Sequence, residues 1–427
     1  MTDAPARADD DLNVALIGAG NHGRDLLNYC LDLPGVRLRA VADIWPYART
    51  YGGRLLRRRG HDVRDYADHR EMLAAEKDLQ AAIIATPDAF HADQAVDCMK
   101  AGLHVYLEKE MHHTLEGCRR VVLAAHETGR LVQVGRQHRS NPRYLAALDY
   151  VDREQALGRI TGVWGQWHGH RRHRIPWPEK YALDAATLAK YGYASMEEFR
   201  NWRWSRKFSA GEAVNLGAHQ IDVFNWFLHA PPRAVYAAGG RDYYDFFDWY
   251  DNVSCLFEWD YAWQGVTKTV RGAYRISTTD EGGFYEAFLG DEGSLAISEM
   301  AGIGGIRREW GPDSIWATPR AEWTRRLRMF VINPTLQLDL TEARRCVAFP
   351  FRNFEDLALV SVPIPYPGEE KPVHWYHLKN FFDAVRGRCK LTCPPEVGYE
   401  AAASAFAVNR AMLTDGRLAL APDEFKV

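Results

Sequence analysis

A lysine and a histidine stand in patterns where side chains can move a proton. Lys109 follows an apolar run in the pair Glu108-Lys109, and His219 lies in the pattern Gly217-x-His219-x-x-Asp222. An alcohol is oxidised when a base takes the hydroxyl proton while a hydride leaves the same carbon, and a buried lysine or histidine can be that base. A solvated lysine after a strand and a hydrogen-bonded helix histidine are the alternative interpretations.

A glycine loop near the start of the chain predicts a dinucleotide site. The run Gly18-Ala19-Gly20-Asn21-His22-Gly23 follows an apolar strand and opens a helix. In this context Gly18 allows a tight turn, Gly20 lets the backbone approach a pyrophosphate, and Gly23 lets helix and strand pack closely. The N–H groups of the first helical turn, around Asn21 and His22, are then free to bind phosphate.

Asp43 predicts which dinucleotide binds. It ends the second predicted strand, where a carboxylate can accept hydrogen bonds from both ribose hydroxyls. A 2′-phosphate at this point would be repelled, and the following Ile44-Trp45 offers no arginine to receive one. The sequence therefore predicts NAD as the cofactor in preference to NADP. A glycine turn without a ligand is the alternative.

The elements that must position these residues alternate between strand and helix over the first part of the chain. Strands are predicted at residues 13–17, 36–42, 81–85, 104–107 and 131–134, and helices at 21–33, 92–101 and 115–128. Thr114 can cap the last helix and Gly129 can end it. This alternation predicts an α/β domain, an N-terminal Rossmann fold with a doubly wound parallel sheet.

The pattern changes after about residue 150. Strand-like runs recur at residues 160–167, 234–238, 253–259, 264–270, 284–289 and 295–298, and a tryptophan-rich stretch at 201–226 turns helical. We expect an antiparallel-rich α+β domain here. The predicted division is a disordered lead-in at 1–12, a Rossmann NAD-binding domain at 13–145, and a substrate and oligomerisation domain at 146–427. The last helices of the second domain can pack back on the first.

With these motifs in this order, the chain resembles the Gfo/Idh/MocA family, named for glucose–fructose oxidoreductase, inositol dehydrogenase and MocA, over about residues 13–412. The matching motifs are the glycine loop, Ala85-Thr86-Pro87 with His91 (family T-P-x-x-x-H), Glu108-Lys109 (family E-K-P) and Gly217-x-His219-x-x-Asp222 (family G-x-H-x-x-D). The resemblance implies a Rossmann domain followed by an open antiparallel sheet that often makes dimer or tetramer contacts. It also implies a cleft where a sugar or cyclitol carbon meets the nicotinamide.

The resemblance implies cofactor contacts at the matching positions. Thr86 and Pro87 would line the dinucleotide, His91 would lie at the cofactor edge, and Glu108 would contact the nicotinamide ribose. Gln137 follows the last Rossmann strand and is expected near the nicotinamide, although a purely structural crossover is an equal alternative for this segment.

The resemblance also implies the groups around the reacting carbon. Lys109 would reach the reacting hydroxyl and His219 would lie opposite it. Asn215 and Asp222 are expected on the same helical face as His219, because their spacing matches the helical period. Arg139, after the last Rossmann strand, is expected near the substrate.

Two positions depart from the family pattern. Residue 110 is Glu where the family usually has Pro, and a carboxylate there would favour the charged form of Lys109. Residue 215 is Asn where many family dehydrogenases carry Asp. An amide can bond a sugar hydroxyl, but it cannot stabilise an imidazolium as a carboxylate would. The departure weakens a simple dehydrogenase assignment.

A basic cluster favours an anionic substrate. The run His168-Gly-His170-Arg171-Arg172-His173-Arg174 is followed by Arg203, Arg206 and Lys207 in the tryptophan-rich stretch. Arginine forks suit carboxylate, sulfonate or phosphate groups, and a solvated surface loop is the alternative. The candidate substrate-binding residues are Arg139, His168, Arg171, Arg174, Trp202, Arg203 and Tyr285. No metal site is predicted, because the arginines among the three histidines would repel zinc.

Composition excludes several classes of protein. The 427 residues carry 53 Lys+Arg against 56 Asp+Glu, a net charge of −3, so no charge excess favours nucleic acid or an anionic membrane. No apolar run is long enough to span a bilayer, and the start lacks a signal sequence. The 7 cysteines are odd in number and lie mostly in apolar stretches, which is typical of thiols in a reducing compartment. We expect a cytoplasmic protein.

The sequence thus predicts an NAD-dependent oxidoreductase that acts on a secondary hydroxyl of a sugar or glycoside, as a homodimer or homotetramer. One alternative is an NAD-dependent glycoside hydrolase that works by transient C3 oxidation, elimination, water addition and re-reduction. Tyr285 and Glu110 are further candidate bases for that reaction. Another alternative is a non-catalytic NAD-dependent sensor, against which the intact Lys109 and His219 argue.

Overall fold

The computed structural model describes residues 11–169, 171–300, 303–308, 364 and 370–427. Most of the predicted lead-in, His170 of the basic cluster and Cys346 lie outside the described residues. None of the helices within the described ranges is long and apolar enough to cross a membrane.

Six parallel strands form the first sheet, in the order β3-β2-β1-β4-β5-β6. They are β1 (Leu12–Ile17), β2 (Val36–Ala42), β3 (Arg64–Tyr66), β4 (Ala81–Ile84), β5 (His104–Leu107) and β6 (Val132–Val134). The predicted doubly wound sheet is confirmed. The strand order reverses between β1 and β4, which is the switch point where such sheets bind ligands at the carboxyl ends of their strands.

Six helices accompany this sheet. They are α1 (Asn21–Leu31), α2 (Pro46–Arg58), α3 (His69–Ala75), α4 (Asp88–Lys100), α5 (Leu115–Thr128) and α6 (Pro142–Asp152). The side chain of Thr114 accepts a hydrogen bond from the Gly117 amide, and Gly129 ends α5 at a φ of 64°, so both predicted caps form. The sequence did not predict β3 and its flanking helices, because β3 is a short, mostly polar strand and α2 is rich in arginine.

Within the described ranges the second sheet has eight strands, in the order β13-β12-β11-β7-β10-β9-β8-β14. They are β7 (Ile160–His168), β8 (Pro232–Gly240), β9 (Asn252–Trp263), β10 (Val266–Ser277), β11 (Gly283–Gly290), β12 (Gly293–Ile297), β13 (Gly304–Arg308) and β14 (Leu418–Ala419). Only β7 and β10 pair in parallel in this sheet as described. The predicted antiparallel-rich domain is confirmed.

Helices cover one face of the second sheet. The remaining α-helices in the described part of the chain are α7 (Ala185–Lys190), α8 (Met196–Arg200), α9 (Glu212–Asn215), α10 (Gly217–Leu228), α11 (Val373–Val385) and α12 (Pro395–Ala411). Phe224 of α10 packs against Trp259, Tyr274 and Phe288 on this face. Helix α12 packs against α10 and also α5, and α11 packs against α1. The last helices therefore contact the Rossmann helices.

The other face of this sheet is open, and it carries a row of apolar side chains beside charged ones such as Arg271 and Glu258. Residues directly opposite one another across five strands form one row: Ala287, Trp164, Ala273, Leu256 and Tyr236. Trp164 is 50% exposed and Leu256 is 56% exposed. A contiguous exposed apolar patch of this kind marks an interaction surface more often than scattered apolar residues do.

Candidate active site

A cavity of about 900 Å³ lies between the glycine loop, the carboxyl ends of the parallel strands and the second domain. Residues predicted from the sequence that line it are Gly18, Gly20, Asn21, His22, Asp43, Thr86, Pro87, Glu108, Lys109, Gln137, Trp202, Arg203, Asn215 and His219. The structure thus brings together in one cavity most of the residues predicted to bind cofactor and to act on substrate.

The glycine loop has the shape that a dinucleotide needs. Gly18 has a φ of +93°, and a Cβ added there would lie 2.6 Å from the carbonyl oxygen of Ala85. A Cβ on Gly23 would lie 2.0 Å from the Gly18 carbonyl oxygen, so Gly23 packs against the loop and does not line the cavity. At Gly20, which precedes α1, no atom lies within 4 Å of an added Cβ. The backbone there is open to an approaching phosphate.

Asp43 is held next to this loop at the end of β2. Its Oδ2 accepts the Ala19 amide at 2.7 Å, and its Oδ1 accepts the Trp45 amide at 2.7 Å. Burial raises the pKa of the Asp43 carboxyl, and these two backbone bonds only partly offset that effect. Each oxygen keeps a further lone pair for a ribose hydroxyl. The loop and Asp43 together therefore fit a dinucleotide.

Glu108 contacts two histidines beside the loop. Its Oε1 lies 3.1 Å from Nε2 of His22, and the ligand atoms of Glu108, His22 and His374 all lie within 4.8 Å of one another. Burial lowers the pKa of His22, but the Glu108 carboxylate raises it more, so the net shift is upward. These three side chains are close enough to hold a metal ion. They also border the glycine loop, where the dinucleotide would lie, and the sequence prediction of no metal stays a prediction.

His91 lies behind the cavity wall, between the segments that follow β4 and β5. Its ring nitrogens lie 2.6 Å from the Glu110 carbonyl oxygen and 2.7 Å from the Thr86 carbonyl oxygen. Burial lowers the pKa of His91 to about 4, so the ring is neutral. His91 does not line the cavity, and it connects the segment after β4 to the segment after β5.

Lys109 joins the two domains across the cavity. Its Nζ donates a hydrogen bond to the Asn215 carbonyl oxygen at 2.5 Å. Burial, followed by the positive charge of Arg203, lowers the pKa of Lys109. The peptide bond between Lys109 and Glu110 is cis. A lysine with a lowered pKa has a larger neutral fraction at a given pH, and only the neutral amine can accept a proton.

His219 lies in the same cavity on α10. The residue is 5% exposed, and its Nδ1 is buried without a hydrogen-bond partner. Its ring stacks on Trp167 with 5.9 Å between centroids. Burial, followed by the charge of Lys109, lowers the pKa of His219 well below its usual value. The neutral imidazole can therefore accept a proton.

The expectation that Asn215, His219 and Asp222 share one helical face is wrong for Asn215, which lies on a separate helix from His219. Asp222 lies on α10 three residues after His219, as the spacing predicts. Asn215 ends the short helix α9, and α10 starts at Gly217. The Asn215 amide donates to Ser209 Oγ at 2.7 Å. Asp222 accepts both Arg139 Nη2 at 2.7 Å and Nε at 2.9 Å. Neither Arg139 nor Asp222 lines the cavity, because each neutralises the other in a buried ion pair.

The predicted basic cluster divides in the structure, and most of it lies away from the cavity. The Nδ1 atom of His168 lies 2.7 Å from Oδ1 of Asp280. Arg174 forms an ion pair with Glu197, and the Arg171 guanidinium lies over the Tyr243 ring. Arg206 donates to the Asp248 carbonyl oxygen, and Lys207 to that of Gly192. None of these basic residues lines the cavity, because local acidic and aromatic partners hold them elsewhere.

Two arginines of this cluster do line the cavity. Arg172 lies 3.4 Å from Glu212, which also lines it. Arg203 is solvent-exposed at the cavity, and its guanidinium stacks on the Trp202 ring at 4.2 Å. Stacking fixes the plane of a guanidinium and leaves its N–H groups free to bind an anion edge-on.

Tyr285 lies on the open face of the second sheet, opposite Gln166. Its neighbour Phe284 stacks on the cavity residue Trp167, and successive side chains of a strand point to opposite faces. Tyr285 is therefore separated from the cavity by the sheet itself. Side chains along β11 alternate between the two faces of the sheet, so its pairing register would have placed Tyr285 away from the cavity.

Several cavity residues were not singled out as site candidates from the sequence. They include Asp88, Glu212, Glu299 and His374. Asp88 directly follows Thr86-Pro87, which is a local signal for it, whereas nothing near His374 indicates a site. Burial raises the pKa of the Asp88 carboxyl to about 8, and its Oδ2 has no hydrogen-bond partner. A protonated carboxyl can donate a proton at neutral pH.

Glu110, which stands at the family's proline position, forms a buried ion pair. Its Oε1 lies 2.6 Å from Arg136 Nη2, and both side chains are at most 1% exposed. Burial raises the pKa of Glu110, although Arg136 partly offsets this shift. Glu110 therefore does not line the cavity, and its carboxylate faces Arg136.

The fold and the cavity define a class of protein: a nicotinamide-dinucleotide oxidoreductase with a Rossmann domain and a second, sheet-based domain. The family model described as "Oxidoreductase family, NAD-binding Rossmann fold" matches residues 12–136, and that described as "GFO/IDH/MocA C-terminal domain" matches residues 145–295. Together they cover more than half of the chain. The chain therefore belongs to the Gfo/Idh/MocA family, as the sequence motifs predict, and the predicted cofactor NAD is confirmed.

Sequence comparison with curated proteins also finds relatives in this family. Inositol 2-dehydrogenase of Rubrobacter xylanophilus is 28% identical over 233 residues, 53% of this chain and 55% of that protein. The chain thus spans about half the length of the curated relatives it matches.

Two solved structures share the fold over nearly the whole chain. The WlbA dehydrogenase from Bordetella pertussis in complex with NADH and UDP-GlcNAcA has a TM-score of 0.66 at 18% identity, with 97% of this chain and 99% of that chain covered. Levoglucosan dehydrogenase in complex with NADH has a TM-score of 0.64 at 19% identity, with 96% and 99% covered.

We predict that Glu110→Ala lowers the free energy of unfolding by about 3–5 kcal/mol, because it leaves the Arg136 charge buried and uncompensated. Urea denaturation measures the loss. Asp149→Ala is the control, since it removes an exposed ion pair with Arg153 and should cost less than about 1 kcal/mol. Equal losses in the two variants would contradict the buried pair.

Proposed function

We propose that the protein catalyses NAD-dependent oxidation of a secondary hydroxyl on a sugar or glycoside. The observation that carries this proposal is the pairing of Lys109 with His219 in one cavity beside the glycine loop. Burial lowers the pKa of both groups, so a larger fraction of each is neutral and has a free lone pair for a proton. Sequence similarity to sugar and polyol dehydrogenases, among them inositol 2-dehydrogenase, supports a sugar or glycoside as the substrate.

The chain's own residues would orient the sugar and manage its proton. Bound NAD supplies a hydride acceptor. Lys109 accepts the proton of the reacting hydroxyl, and His219 lies on the other domain, where it can bond the same oxygen or its neighbour. Trp167 and Trp202 both line the cavity and offer apolar faces to a sugar ring. Asn215 holds Lys109 in place through its backbone carbonyl.

A second candidate function is favoured by Asp88. Glycoside hydrolysis through a transient C3 ketone requires a base to remove protons and an acid to protonate the departing aglycone. Asp88 lines the same cavity, and its pKa of about 8 keeps it protonated at neutral pH. A simple dehydrogenase needs no such acid. A non-catalytic sensor would need neither the base nor the acid.

One experiment separates these functions. The protein is incubated with NAD and a panel of nitrophenyl glycosides, and nitrophenol and NADH are followed together. NADH without nitrophenol supports the dehydrogenase, and nitrophenol without net NADH supports the hydrolase. Neither product from any glycoside or free sugar would contradict both enzymes and favour the sensor.

We further propose that the substrate is anionic and that Arg203 recognises its charge. Arg203 lines the cavity with its guanidinium plane fixed on Trp202, whereas Arg172 is already close to Glu212. The UDP-GlcNAcA named with the WlbA structure is one sugar of this charged kind. An arginine that meets a carboxylate, sulfonate or phosphate in a fixed plane forms a strong bidentate contact.

The protein is also proposed to be cytoplasmic. The six described cysteines, Cys30, Cys98, Cys118, Cys255, Cys389 and Cys393, are free thiols. Free thiols are typical of proteins that function in a reducing compartment.

We predict that the wild-type protein binds NAD more tightly than NADP and that Asp43→Ala narrows this preference by at least about tenfold. The reason is that the Asp43 carboxylate accepts ribose hydroxyls and repels a 2′-phosphate. Fluorescence titration with both cofactors measures the ratio. Equal NAD and NADP affinity in the wild type would contradict the assignment.

We predict that Lys109→Ala and His219→Ala each lower kcat/KM by at least about 100-fold, the usual scale for losing a positioned acid–base group. Both variants should still bind NAD in a titration. Since the neutral amine is the active form and its pKa is lowered, kcat/KM should reach its plateau below the ordinary lysine pKa of about 10.4.

The exposed Lys100→Ala serves as the control for these two variants and should keep wild-type rates. Near-normal rates in both cavity variants would remove Lys109 and His219 from the reaction.

We predict that Arg203→Gln reduces the kcat/KM preference for a uronic or sulfonated sugar over its neutral analogue by more than about tenfold, because a desolvated charge contact is lost. Added salt should raise the wild-type KM for the charged sugar. Arg206→Gln is the matched control, since Arg206 lies on the same segment outside the cavity. No preference for the charged sugar in the wild type at low salt would overturn this proposal.

We predict a homodimer or homotetramer that associates through the open face of the second sheet, because a row of apolar side chains is exposed there. Leu256→Asp should yield a smaller species in size-exclusion chromatography with light scattering. Leu413→Asp, at a residue that is 79% exposed outside this sheet, should leave the mass unchanged. A monomeric wild-type protein would contradict the prediction.

A further inference from the structure

Two histidines and a glutamate from three distant parts of the chain meet beside the glycine loop. His22 is the second residue of α1, Glu108 follows β5, and His374 is the second residue of α11. One ligand atom of each residue lies within 4.8 Å of the other two. Within the described part of the chain, this triad is the one group of three or more histidine, cysteine or acidic side chains compact enough to hold a metal ion.

Packing positions the three side chains of the triad. Glu108 is 4% exposed, and a Cβ added at Gly135 would lie 2.9 Å from its Oε2, so the carboxylate fits closely against that glycine. The His374 ring stacks on Tyr29 of α1 with 6.0 Å between centroids, and it meets the His22 ring edge-on at 5.2 Å. Because these contacts already order the side chains, a ligand that binds them pays little entropy for ordering them.

One oxygen of the triad is buried without a hydrogen bond. Glu108 Oε1 lies 3.1 Å from Nε2 of His22, but it has no hydrogen-bond partner of acceptable geometry. A buried polar atom left unsatisfied is costly, and a native structure that keeps one usually has a ligand or water for it. A cation bound between this oxygen and the two imidazole rings would satisfy it.

The donor set favours zinc over other common ions. Zn²⁺ is bound by imidazole nitrogen and carboxylate oxygen at about 2.0–2.2 Å, and two histidines with one glutamate leave its fourth position open. Mg²⁺ and Ca²⁺ instead prefer ligand sets made of oxygen. All three side chains line the cavity, so the open position faces it. Lys109 and Arg203 line the same cavity, and their positive charges make zinc binding weaker than at a closed site with four ligands.

We propose that His22, Glu108 and His374 bind one zinc ion in the protein that carries no cofactor, and that zinc at this site excludes NAD. His22 belongs to the first turn of α1, whose N–H groups would bind the dinucleotide phosphates. Glu108 is expected at the nicotinamide ribose. An ion held between these two side chains fills space that the dinucleotide needs, so zinc inhibits the protein by competing with NAD.

Zinc binding is measured on the full-length protein after removal of NAD, by isothermal titration calorimetry with zinc chloride. We expect one ion per chain in the wild type and no binding of Mg²⁺ at the same concentrations. His22→Asn and His374→Phe should each weaken zinc binding by at least about tenfold, since even the outer partners of metal ligands are worth about 10–100-fold in affinity. His374→Phe keeps a ring that can pack on Tyr29.

The matched control is His126→Phe. It removes an exposed histidine that lies beside the carboxylate of Glu396, outside the cavity, and it should bind zinc as tightly as the wild type does. Equal zinc affinity in the wild type and both triad variants would indicate adventitious surface binding and overturn the site. A wild type that binds no zinc would overturn it as well. Specific binding would in turn correct the sequence prediction of no metal site.

Competition is measured by fluorescence titration of NAD with and without zinc. Zinc at about ten times its own Kd should raise the apparent Kd for NAD about tenfold, as mass action requires for exclusive binding, and a chelator should reverse the effect. The same zinc concentration should change NAD binding by His374→Phe far less. An NAD affinity of the wild type that saturating zinc leaves unchanged would overturn the exclusion. No sugar takes part, so the result is independent of the proposed oxidation.

Discussion

The hydrogen bond from Lys109 to the Asn215 carbonyl oxygen is the contact on which the active site depends. It joins the end of a Rossmann strand to a short helix of the second domain, so the cavity has its shape only while the two domains are closed on each other. The same closure buries the amine and lowers its pKa. Closure of the two domains therefore both positions Lys109 and sets its pKa.

Charge pairing around the cavity separates structural groups from groups that can react. Glu110 with Arg136 and Asp222 with Arg139 are buried ion pairs, and neither pair lines the cavity. An unmatched buried charge is costly, so such pairs must form wherever both partners are enclosed. Lys109 and Asp88 face the cavity instead, with pKa values shifted toward neutrality. This is the condition that proton transfer needs.

The sequence predicted those parts of the fold and site that short-range patterns determine. The glycine loop, Asp43 and the caps of α5 each depend on a few neighbouring residues, and the structure places them as expected. The basic cluster failed as one site because its members find partners on other segments, such as Glu197 for Arg174, 23 residues away, and Asp280 for His168, 112 residues away. The presence of His374 in the cavity was not predictable for the same reason, because tertiary packing alone brings its segment there.

The central claim is that closure of the two domains gives Lys109 a lowered pKa. The most direct measurement is a titration by nuclear magnetic resonance of protein carrying lysine labelled at Cε, with Lys109→Arg used to assign the signal. We predict that one lysine resonance titrates clearly below the ordinary pKa of about 10.4 and is absent from the variant. A Lys109 resonance that titrates at or above 10.4 would contradict the account.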